Sequence, residues 1–348
     1  MQYYYKVDSL RSVMNKIVIV IPNLNGAKYL GACLDSLIDQ TQTSKIIVVD
    51  NVSTDESCDL IKSQYPTVRL IELNKNTGFA GGVNTGIKAA LQDGAQWVAL
   101  FNNDAVADKN WLAELIKTAK SNPRAGIVTG KLWNHDKTKL DSTGEQYSTW
   151  GLPFARGRDE TNDQPYNQTE PVFGASGGAS IYRSAMLVKI GIFDEKFFAY
   201  YEDVDISFRA QLAGWQVFYT PKALAYHRTG STSSKIKGFT TYQTMKNLPM
   251  LYWKNMPLGL ALKSLPKFSY AYCGFLISAF QRHQGLTALK GLTRSILLIP
   301  HSLIHRRRIQ KSKVINNQQL ASSLYNGLPP RADRLQSQAK QLKHFLKR

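Results

Sequence analysis

The densest group of acidic residues lies in the segment YYEDVDISFRAQLAGW, residues 200–215, where Glu202, Asp203 and Asp205 occur within four positions. A helix N-terminus favours negative charge, and Asp205 precedes Arg209 by one turn, so capping and an ion pair explain part of this group. Three carboxylates exceed what capping needs, and like charges raise one another's pKa. A carboxylate with a pKa near neutrality can accept the proton of an attacking hydroxyl. We therefore predict that one of the three is a general base.

A second acidic position follows a buried apolar run. The segment FNND, residues 101–104, ends a predicted strand in a tight turn. Carboxylate, amide and water oxygens are the usual ligands of a hard cation such as Mg²⁺ or Mn²⁺, which a diphosphate requires. Asp104 is the predicted ligand, and the alternative is that it caps the next helix.

His227 follows the predicted strand 216–219 and precedes the sequence GSTSS, residues 230–234. This position suits a metal ligand next to a mobile lid. The alternative is a structural or merely exposed histidine.

Short β-branched runs alternate with amphipathic patterns in the first half of the chain, which predicts βα units and a parallel sheet. The predicted fold class is α/β, a Rossmann-like domain with a mostly parallel central sheet flanked by helices. Predicted strands cover residues 17–21, 46–49, 68–73 and 97–101, and predicted helices cover 29–39, 55–64, 81–91 and 111–121.

Amides and carboxylates follow each of these four strands, where such sheets bind their ligands. They are Asn23, Asn25, Asp50, Asn51, Asn74, Asn76, Asn102, Asn103 and Asp104. One such residue is commonly a turn or a cap, but four successive strand ends indicate a shared crevice. The glycine-rich segment 76–86 lacks the GxGxxG spacing and strand position of a dinucleotide site, although its backbone amides could approach a phosphate or ribose.

The excess positive charge is confined to the last third of the chain. Up to His227 there are 23 Lys and Arg against 24 Asp and Glu, and from Arg228 onward 21 against Asp333 alone. Such a region needs an anionic partner. The apolar runs 268–280 and 296–304 are too short to span a bilayer, so we expect interfacial helices on anionic lipid, or else a small solvated helical region. Three separated cysteines and the lack of a secretory signal favour a reducing cytosol.

Two other classes of protein are compatible with parts of the sequence. A nucleotidyltransferase could use the same sheet, although PNLNGAKYL offers only one glycine and one lysine after the first strand. An RNA-binding protein could use the basic and aromatic residues 246–257. The apolar runs of the basic region favour lipid, so no nucleic acid is expected.

Six motifs, in order, resemble family 2 glycosyltransferases of the GT-A fold, and the rhamnosyltransferase-like branch in particular. They are IVIVIPNLNG (17–26), VVDNVSTDES (48–57), NKNTGFAGGVNTGI (74–87), LFNND (100–104), GASGGASIYRS (174–184) and FDEKFFAYYEDVDISFRAQLAGW (193–215). The resemblance covers roughly residues 16–230. It implies a catalytic domain 16–230. The start of the first strand leaves an N-terminal extension 1–15, and the charge and apolar runs predict a basic helical region 231–348 associated with the membrane.

The resemblance also implies roles for single residues. Asp203 matches the catalytic base with Glu202 as its rival, and Asp104 and His227 match metal-site positions. Asn102 stands where many members have Asp, so metal dependence could be weaker. The residues implied to bind the sugar nucleotide are Asn23, Asn25, Asp50, Asn51, Asn76, Gly78, Asn84, Asn102 and Asn103.

The reaction implied is inverting transfer of rhamnose or a similar sugar. The donor would be a nucleoside-diphosphate sugar bound with Mg²⁺ or Mn²⁺, and the acceptor a glycan hydroxyl in cell-surface polysaccharide synthesis. A glycan linked to polyprenyl diphosphate is the acceptor that the expected membrane location favours. The expected location is cytoplasmic, peripheral on the inner face of the cell membrane.

Overall fold

The computed structural model describes residues 16–228, 236–330 and 332. The expected N-terminal extension 1–15 and the GSTSS segment therefore lie outside the described residues.

A mixed sheet of ten strands forms the centre of the molecule, and two further strands form a separate hairpin. The strands are β1 Ile17–Asn23, β2 Lys45–Asp50, β3 Arg69–Glu72, β4 Trp97–Phe101, β5 Ala105–Ala107, β6 Ala125–Asn134, β7 Leu140–Ser142, β8 Glu145–Tyr147, β9 Pro153–Ala155, β10 Glu170–Val172, β11 Ala179–Arg183 and β12 Gln216–His227. The path of the sheet runs β10-β12-β6-β11-β4-β1-β2-β3, with β5 paired to β12 and β7 to β6, and the hairpin is β8-β9. The half built from β3, β2, β1 and β4 is entirely parallel, whereas β11 lies antiparallel to both β4 and β6.

Helices pack on both faces of the sheet and continue through the basic region. They are α1 Ala27–Ile38, α2 Ser57–Gln64, α3 Gly78–Gln92, α4 Trp111–Ser121, α5 Ser184–Ile190, α6 Glu202–Leu212, α7 Phe239–Asn255, α8 Leu258–Gln281, α9 Gly285–Leu297, α10 Ile299–Lys311 and α11 Asn317–Ser323. The predicted α/β class with a helical C-terminal region is confirmed.

Several details differ from the sequence-based prediction. Helix α3 begins at Gly78 instead of Gly81, and β12 extends to His227, with a register shift after Tyr219. The prediction missed strand β6, because Thr129, Gly130 and Lys131 interrupt its apolar pattern although all three are buried. Residues 131–173 form short strands and loops, as expected.

The basic region shares a hydrophobic core with the residues before it. Phe197, Val204 and Phe208 belong to one buried cluster with Leu251 and Tyr252 of α7. The segment 246–257 is almost wholly buried in this contact. Its aromatic and basic side chains are therefore not available to stack on bases, which removes the support for RNA binding there.

Candidate active site

A cavity of about 550 Å³ opens at the carboxyl ends of the parallel strands. The predicted site residues that line it are Asn23, Asn51, Asn76, Gly78, Asn102, Asn103, Asp104, Glu202, Asp203 and His227. Asp104 comes from the turn after β4 and Asp203 from the first turn of α6, so residues 99 positions apart face one space. The cavity also includes Ile236, Phe239 and Thr240, which lie beyond the predicted domain boundary.

Two backbone N–H groups donate to the side chain of Asp203. Gly177 N donates to its Oδ2 at 3.0 Å, and Val204 N donates to its Oδ1 at 2.8 Å. Burial raises the pKa of Asp203 above its usual range, and these two donors oppose the rise. A buried carboxyl with a raised pKa that opens to a cavity has the properties of a general base.

Glu202 is adjacent, and its charge has weaker support, because one backbone hydrogen bond and the charge of Lys246 do not offset its burial. Its Oε2 is buried with no hydrogen-bond partner among the described residues. Burial first, and then the charge of Asp203, raise the pKa of Glu202 well above its usual value. When the two carboxyls compete, Glu202 holds the proton and Asp203 the charge, because only Asp203 accepts two backbone N–H bonds.

Asp104 and His227 line the same cavity and contact each other. His227 Nε2 lies 3.1 Å from Asp104 Oδ1, and His227 Nδ1 lies 2.7 Å from Asp141 Oδ2. Burial would lower the pKa of His227, but the hydrogen bonds and charges of the two aspartates outweigh it and raise the pKa to about 9. With both nitrogens protonated, the imidazolium donates to both aspartates.

The same arrangement fits a divalent cation in place of the Nε2 proton. A carboxylate oxygen and an imidazole nitrogen 3.1 Å apart can ligate one ion. Asp141 on Nδ1 would fix the tautomer that presents the Nε2 lone pair, an arrangement common around metal-binding histidines. Asn102 Nδ2 also lies 3.1 Å from His227 Nε2, so the Asn102 amide is next to this candidate metal position.

A network of amides forms the wall below the strand ends. Asn103 Nδ2 donates to Asn23 Oδ1 at 2.7 Å, and Asn23 Nδ2 donates to Asp50 at 2.9 Å. Asn51 accepts from Thr77 N and donates to Gly78 O, so it fixes the start of α3. Asn76 Oδ1 accepts from Gly78 N.

Three predicted binding residues do not line the cavity. Asp50 is buried beneath it as an acceptor for Asn23 and Ser53. Asn25 has a φ of 51° and accepts from Thr54 N, so it shapes the loop after β1. Asn84 points to the loop of residues 193–195, where its amide bonds Phe193 O, Phe193 N and Glu195 Oε1. This position does not support a nucleotide contact for Asn84.

Sequence reasoning missed several residues of the site, four of which interact with the predicted site residues or with one another. Arg158 lines the cavity and pairs with Asp141 at 3.2 Å, and buried Glu145 is close enough to Asp203 for the two charges to interact. Gly177, which orients Asp203, stands in the GASGG motif, so a signal existed. Asp141 and Glu145 are single acids within a predicted loop, and no sequence pattern distinguishes them.

A second cavity of about 750 Å³ lies between the 189–196 segment and α10. Asp194, His301 and His305 converge there with ligand atoms within 4.8 Å of one another. The buried ammonium of Lys254 already lies 2.7 Å from Asp194 Oδ2, at the oxygen that His301 also reaches. A metal ion there would have to share the Asp194 carboxylate with the Lys254 ammonium. We therefore interpret Asp194, His301 and His305 as a structural group.

Known proteins resemble this chain in sequence and fold. The chain is 28% identical over 214 residues to N-acetylglucosaminyl-diphospho-decaprenol L-rhamnosyltransferase of Mycobacterium tuberculosis, a match covering 54% of this chain and 67% of that enzyme. It is 24% identical to the poly-β-1,6-N-acetyl-D-glucosamine synthase of Staphylococcus aureus, a match covering 64% of this chain and 55% of that enzyme. The matches therefore span about two thirds and about half of these relatives.

Solved structures share the fold. TarS 1–349 of S. aureus superimposes with a TM-score of 0.53 at 16% identity, covering 85% of this chain and 90% of that one. The mannosyltransferase PcManGT of Pyrobaculum calidifontis, solved with GDP-Man and Mn²⁺, gives a TM-score of 0.52 at 14% identity, covering 85% of each.

The family model described as Glycosyl transferase family 2 matches residues 18–191, half of the chain. The matched segment contains β1 to β4, the turn with Asp104 and the motif with Gly177. Family membership also decides against the nucleotidyltransferase and RNA-binding alternatives. The chain belongs to glycosyltransferase family 2.

Proposed function

We propose that this protein transfers a sugar, rhamnose or a similar one, from a nucleoside-diphosphate sugar to a hydroxyl of a glycan acceptor, with inversion at the anomeric carbon. The observation that carries the proposal is that Asp104 and Asp203 line a single cavity large enough for an activated sugar. The mycobacterial relative is named as a rhamnosyltransferase acting on a lipid-linked sugar, which supports this donor and acceptor class.

The donor would lie along the strand ends, with its nucleotide near Asn51 and Asn76 and its diphosphate near Asn103 and Asp104. Asp104 and His227 would hold Mg²⁺ or Mn²⁺, with phosphate oxygens and water as further ligands. The bound ion would neutralise the charge of the departing diphosphate. PcManGT, a protein of the same fold, was solved with Mn²⁺ and a sugar nucleotide.

Asp203 would act on the acceptor side. Its carboxylate accepts the proton as the acceptor oxygen attacks the anomeric carbon, while the bond to the diphosphate oxygen breaks on the opposite face. One glycosidic bond forms and one sugar–phosphate bond breaks, so the configuration inverts. Because Asp203 is buried, its pKa lies above the usual range, which makes it a stronger base than a solvated aspartate.

The basic region would bind a membrane that carries the acceptor. Exposed large hydrophobic side chains concentrate there: among the described residues, eleven of the seventeen lie in α8, α9 and α10. They are Leu258, Leu262, Ile277, Phe280, Leu286, Leu289, Ile296, Leu297, Ile299, Leu303 and Ile304. A helix in water normally turns polar side chains outward, so this pattern suits an interface with lipid.

Charge favours anionic lipid as the partner. Exposed basic residues accompany the apolar ones, namely Lys263, Lys267, Arg282, Lys290, Arg294, Arg307 and Arg308. In the described part of the chain no helix is long and apolar enough to cross a bilayer. We propose a peripheral position on the cytoplasmic face of the cell membrane, where a polyprenyl-diphosphate glycan would be the acceptor in cell-surface polysaccharide synthesis.

A donor panel tests the proposed reaction. Release of nucleoside diphosphate from dTDP-rhamnose, UDP-sugars and GDP-sugars is measured with Mn²⁺, with Mg²⁺ and with EDTA. We expect turnover of at least one donor, a loss of turnover in EDTA, and tighter binding of the matching nucleotide with Mn²⁺ than without it. Failure of every donor under all three conditions would contradict the assigned function.

Two neighbouring carboxyls provide a matched pair of variants. Asp203→Asn removes the base and should lower kcat by a factor of about 100 to 10,000, while nucleotide affinity is retained. Glu202→Gln should lower kcat less than about tenfold, because the amide resembles a carboxyl that is already protonated. Normal transfer by Asp203→Asn, or a larger loss from Glu202→Gln, would show that the base is assigned to the wrong residue.

A further inference from the structure

Three of the four residues before helix α6 have an unusual backbone. Phe198, Tyr200 and Tyr201 have φ values of 63°, 69° and 70°. L-residues with side chains of this size rarely adopt the left-handed region, so surrounding contacts must impose it. Since Glu202 and Asp203 follow directly, this backbone sets where their side chains begin.

Every carbonyl in this loop has a partner outside the loop. Phe197 O accepts from Lys246 Nζ at 3.0 Å and from Asn247 Nδ2 at 3.0 Å. Ala199 O and Tyr200 O each accept from Asn247 Nδ2 at 2.8 Å. Phe198 O accepts from Ala80 N of α3, and Tyr201 O accepts from Asp205 N as the helix starts.

The two side chains that hold the loop come from α7, in the basic region. Asn247 is fully buried and Lys246 is 5% exposed. The Asn247 amide has only one acceptable orientation, because turning it over would put its oxygen against three carbonyl oxygens. Its Oδ1 has no hydrogen-bond partner among the described residues, so the bonds made by Nδ2 define its role.

We propose that Asn247, assisted by Lys246, is a positioning residue for the catalytic base: it holds the left-handed backbone of residues 198–201 and so aims Asp203 into the cavity. The inference rests on the proposed function, in which Asp203 is the base. It gives two side chains of the basic region, Lys246 and Asn247, a role in positioning the base, in addition to the proposed contact of other helices of that region with lipid. Asn247 does not itself line the cavity.

The test uses the full-length chain and size-preserving substitutions. Asn247→Leu removes three hydrogen bonds and Lys246→Met removes one. We expect kcat of Asn247→Leu to fall about 100-fold, the scale of a misplacement by one ångström, and kcat of Lys246→Met to fall less. Because the strand-end wall is untouched, affinity for UDP, GDP or dTDP with Mn²⁺ should stay within about threefold of the wild type.

Leu251→Ala is the matched control. Leu251 is fully buried in the same helix and belongs to the shared hydrophobic core, so its truncation lowers stability without removing a bond to the loop. Assayed well below its melting temperature, Leu251→Ala should keep a wild-type kcat. If it loses as much kcat as Asn247→Leu, the effect of Asn247 is general destabilisation and the inference is wrong.

Hydrogen–deuterium exchange supplies a readout that needs no substrate. Amides of residues 197–204 should exchange faster in Asn247→Leu than in the wild type, with the strands unchanged, and unchanged exchange there overturns the inference. If Asn247→Leu does not fold, the same measurements on Lys246→Met decide. An inactive Asp203→Asn combined with a fully active Asn247→Leu would contradict the positioning role alone, whereas an active Asp203→Asn would contradict the proposed base.

Discussion

Glu145 is a buried acid whose protonation should be visible in the stability of the protein. Burial first, and then the charge of Asp203, raise its pKa to about 8, against an ordinary value of 4.5. Between these two values the folded chain holds a proton that the unfolded chain releases. The free energy of unfolding therefore loses a contribution as pH rises from about 4.5 to about 8.

We predict that Glu145→Gln removes this pH dependence. The glutamine cannot ionise, so the variant should gain stability relative to the wild type by more than about 1 kcal/mol between pH 6 and pH 9, since one pKa unit corresponds to about 1.4 kcal/mol. Urea unfolding of both proteins at the two pH values measures the change. A difference between the two proteins that does not vary with pH would mean that Glu145 is ionised throughout.

Gly78 is the residue at which the loop before α6 approaches α3. Its φ is 71°, and a Cβ there would lie 2.4 Å from Phe198 O and 2.6 Å from the Phe198 ring. We expect Gly78→Ala to displace the loop and to lower both kcat and the melting temperature. Gly94→Ala is the control, because Gly94 has a φ of 75° but its nearest neighbour is the end of Lys16 at 4.0 Å.

Both substitutions place an alanine on a left-handed backbone, which costs about 1 kcal/mol. Only Gly78→Ala also brings the new Cβ against Phe198. Kinetics and thermal unfolding of both variants separate these effects. Equal losses of stability with kcat unchanged in both would show that the contact with Phe198 does not matter for catalysis.

At the scale of single elements, the sequence predicted the parallel half of the sheet well, because short β-branched runs alternate with amphipathic helices. The rule that ligands bind at carboxyl ends also selected Asn23, Asn51, Asn76 and Asp104, which the structure brings to one cavity. Their contacts with a donor remain predictions. Asn84, whose binding role was implied by the family resemblance and not by the strand-end rule, has partners 109 and 111 positions away that no local pattern reveals.

Helix α7 shows why the basic region was harder to predict. Its lysines suggested a charged surface, yet Lys254 is 1% exposed and lies within 3.0 Å of both Asp194 and Asp205. The predicted ion pair between Asp205 and Arg209 is present at 2.9 Å, and Lys254 and Asn255 add to it. The periodicity of a helix cannot tell a buried lysine from an exposed one when its partners are distant.

Substituting Lys254 tests this contact between elements. Lys254→Met keeps the volume but leaves two buried carboxylates without their shared cation, so we expect a loss of about 3–5 kcal/mol in the free energy of unfolding. Lys263→Met, on an exposed position of α8, should change stability by less than about 0.5 kcal/mol. Urea unfolding measures the free energy of unfolding of both variants. Equal changes would mean that the ion pairs of Lys254 do not stabilise the contact between α7 and α6.

At the scale of the molecule, residues on both sides of the predicted boundary at residue 230 share a hydrophobic core and a cavity. Within the basic region, Phe239 lines the cavity, Asn247 donates hydrogen bonds to the loop before α6, and Leu251 packs in the shared core. The change in charge after His227 predicted an anionic partner for the basic region. The exposed apolar side chains of α8 to α10 support the proposal that this partner is lipid. It did not predict the shared core, because buried contacts between distant segments leave no trace in composition.

The proposed binding of α8 to α10 to a membrane is tested with lipid vesicles. Leu297 and Ile304 are 64% and 52% exposed, so aspartate at both should leave the fold intact while removing two apolar contacts with lipid and adding two negative charges. We expect flotation with phosphatidylglycerol vesicles to weaken by at least about tenfold, the effect of losing one buried apolar side chain. Val188→Asp, at a 73% exposed apolar position of α5, should float like the wild type.

Salt and lipid charge complete that test, because the two contributions to binding respond differently. Attraction between the exposed lysines and arginines and anionic headgroups is screened within about 8 Å at physiological ionic strength, so wild-type flotation should weaken as salt is raised. Vesicles of phosphatidylcholine alone should bind less than those with phosphatidylglycerol. If the double variant and the wild type float equally on both lipids, the exposed apolar side chains of α9 and α10 have another partner.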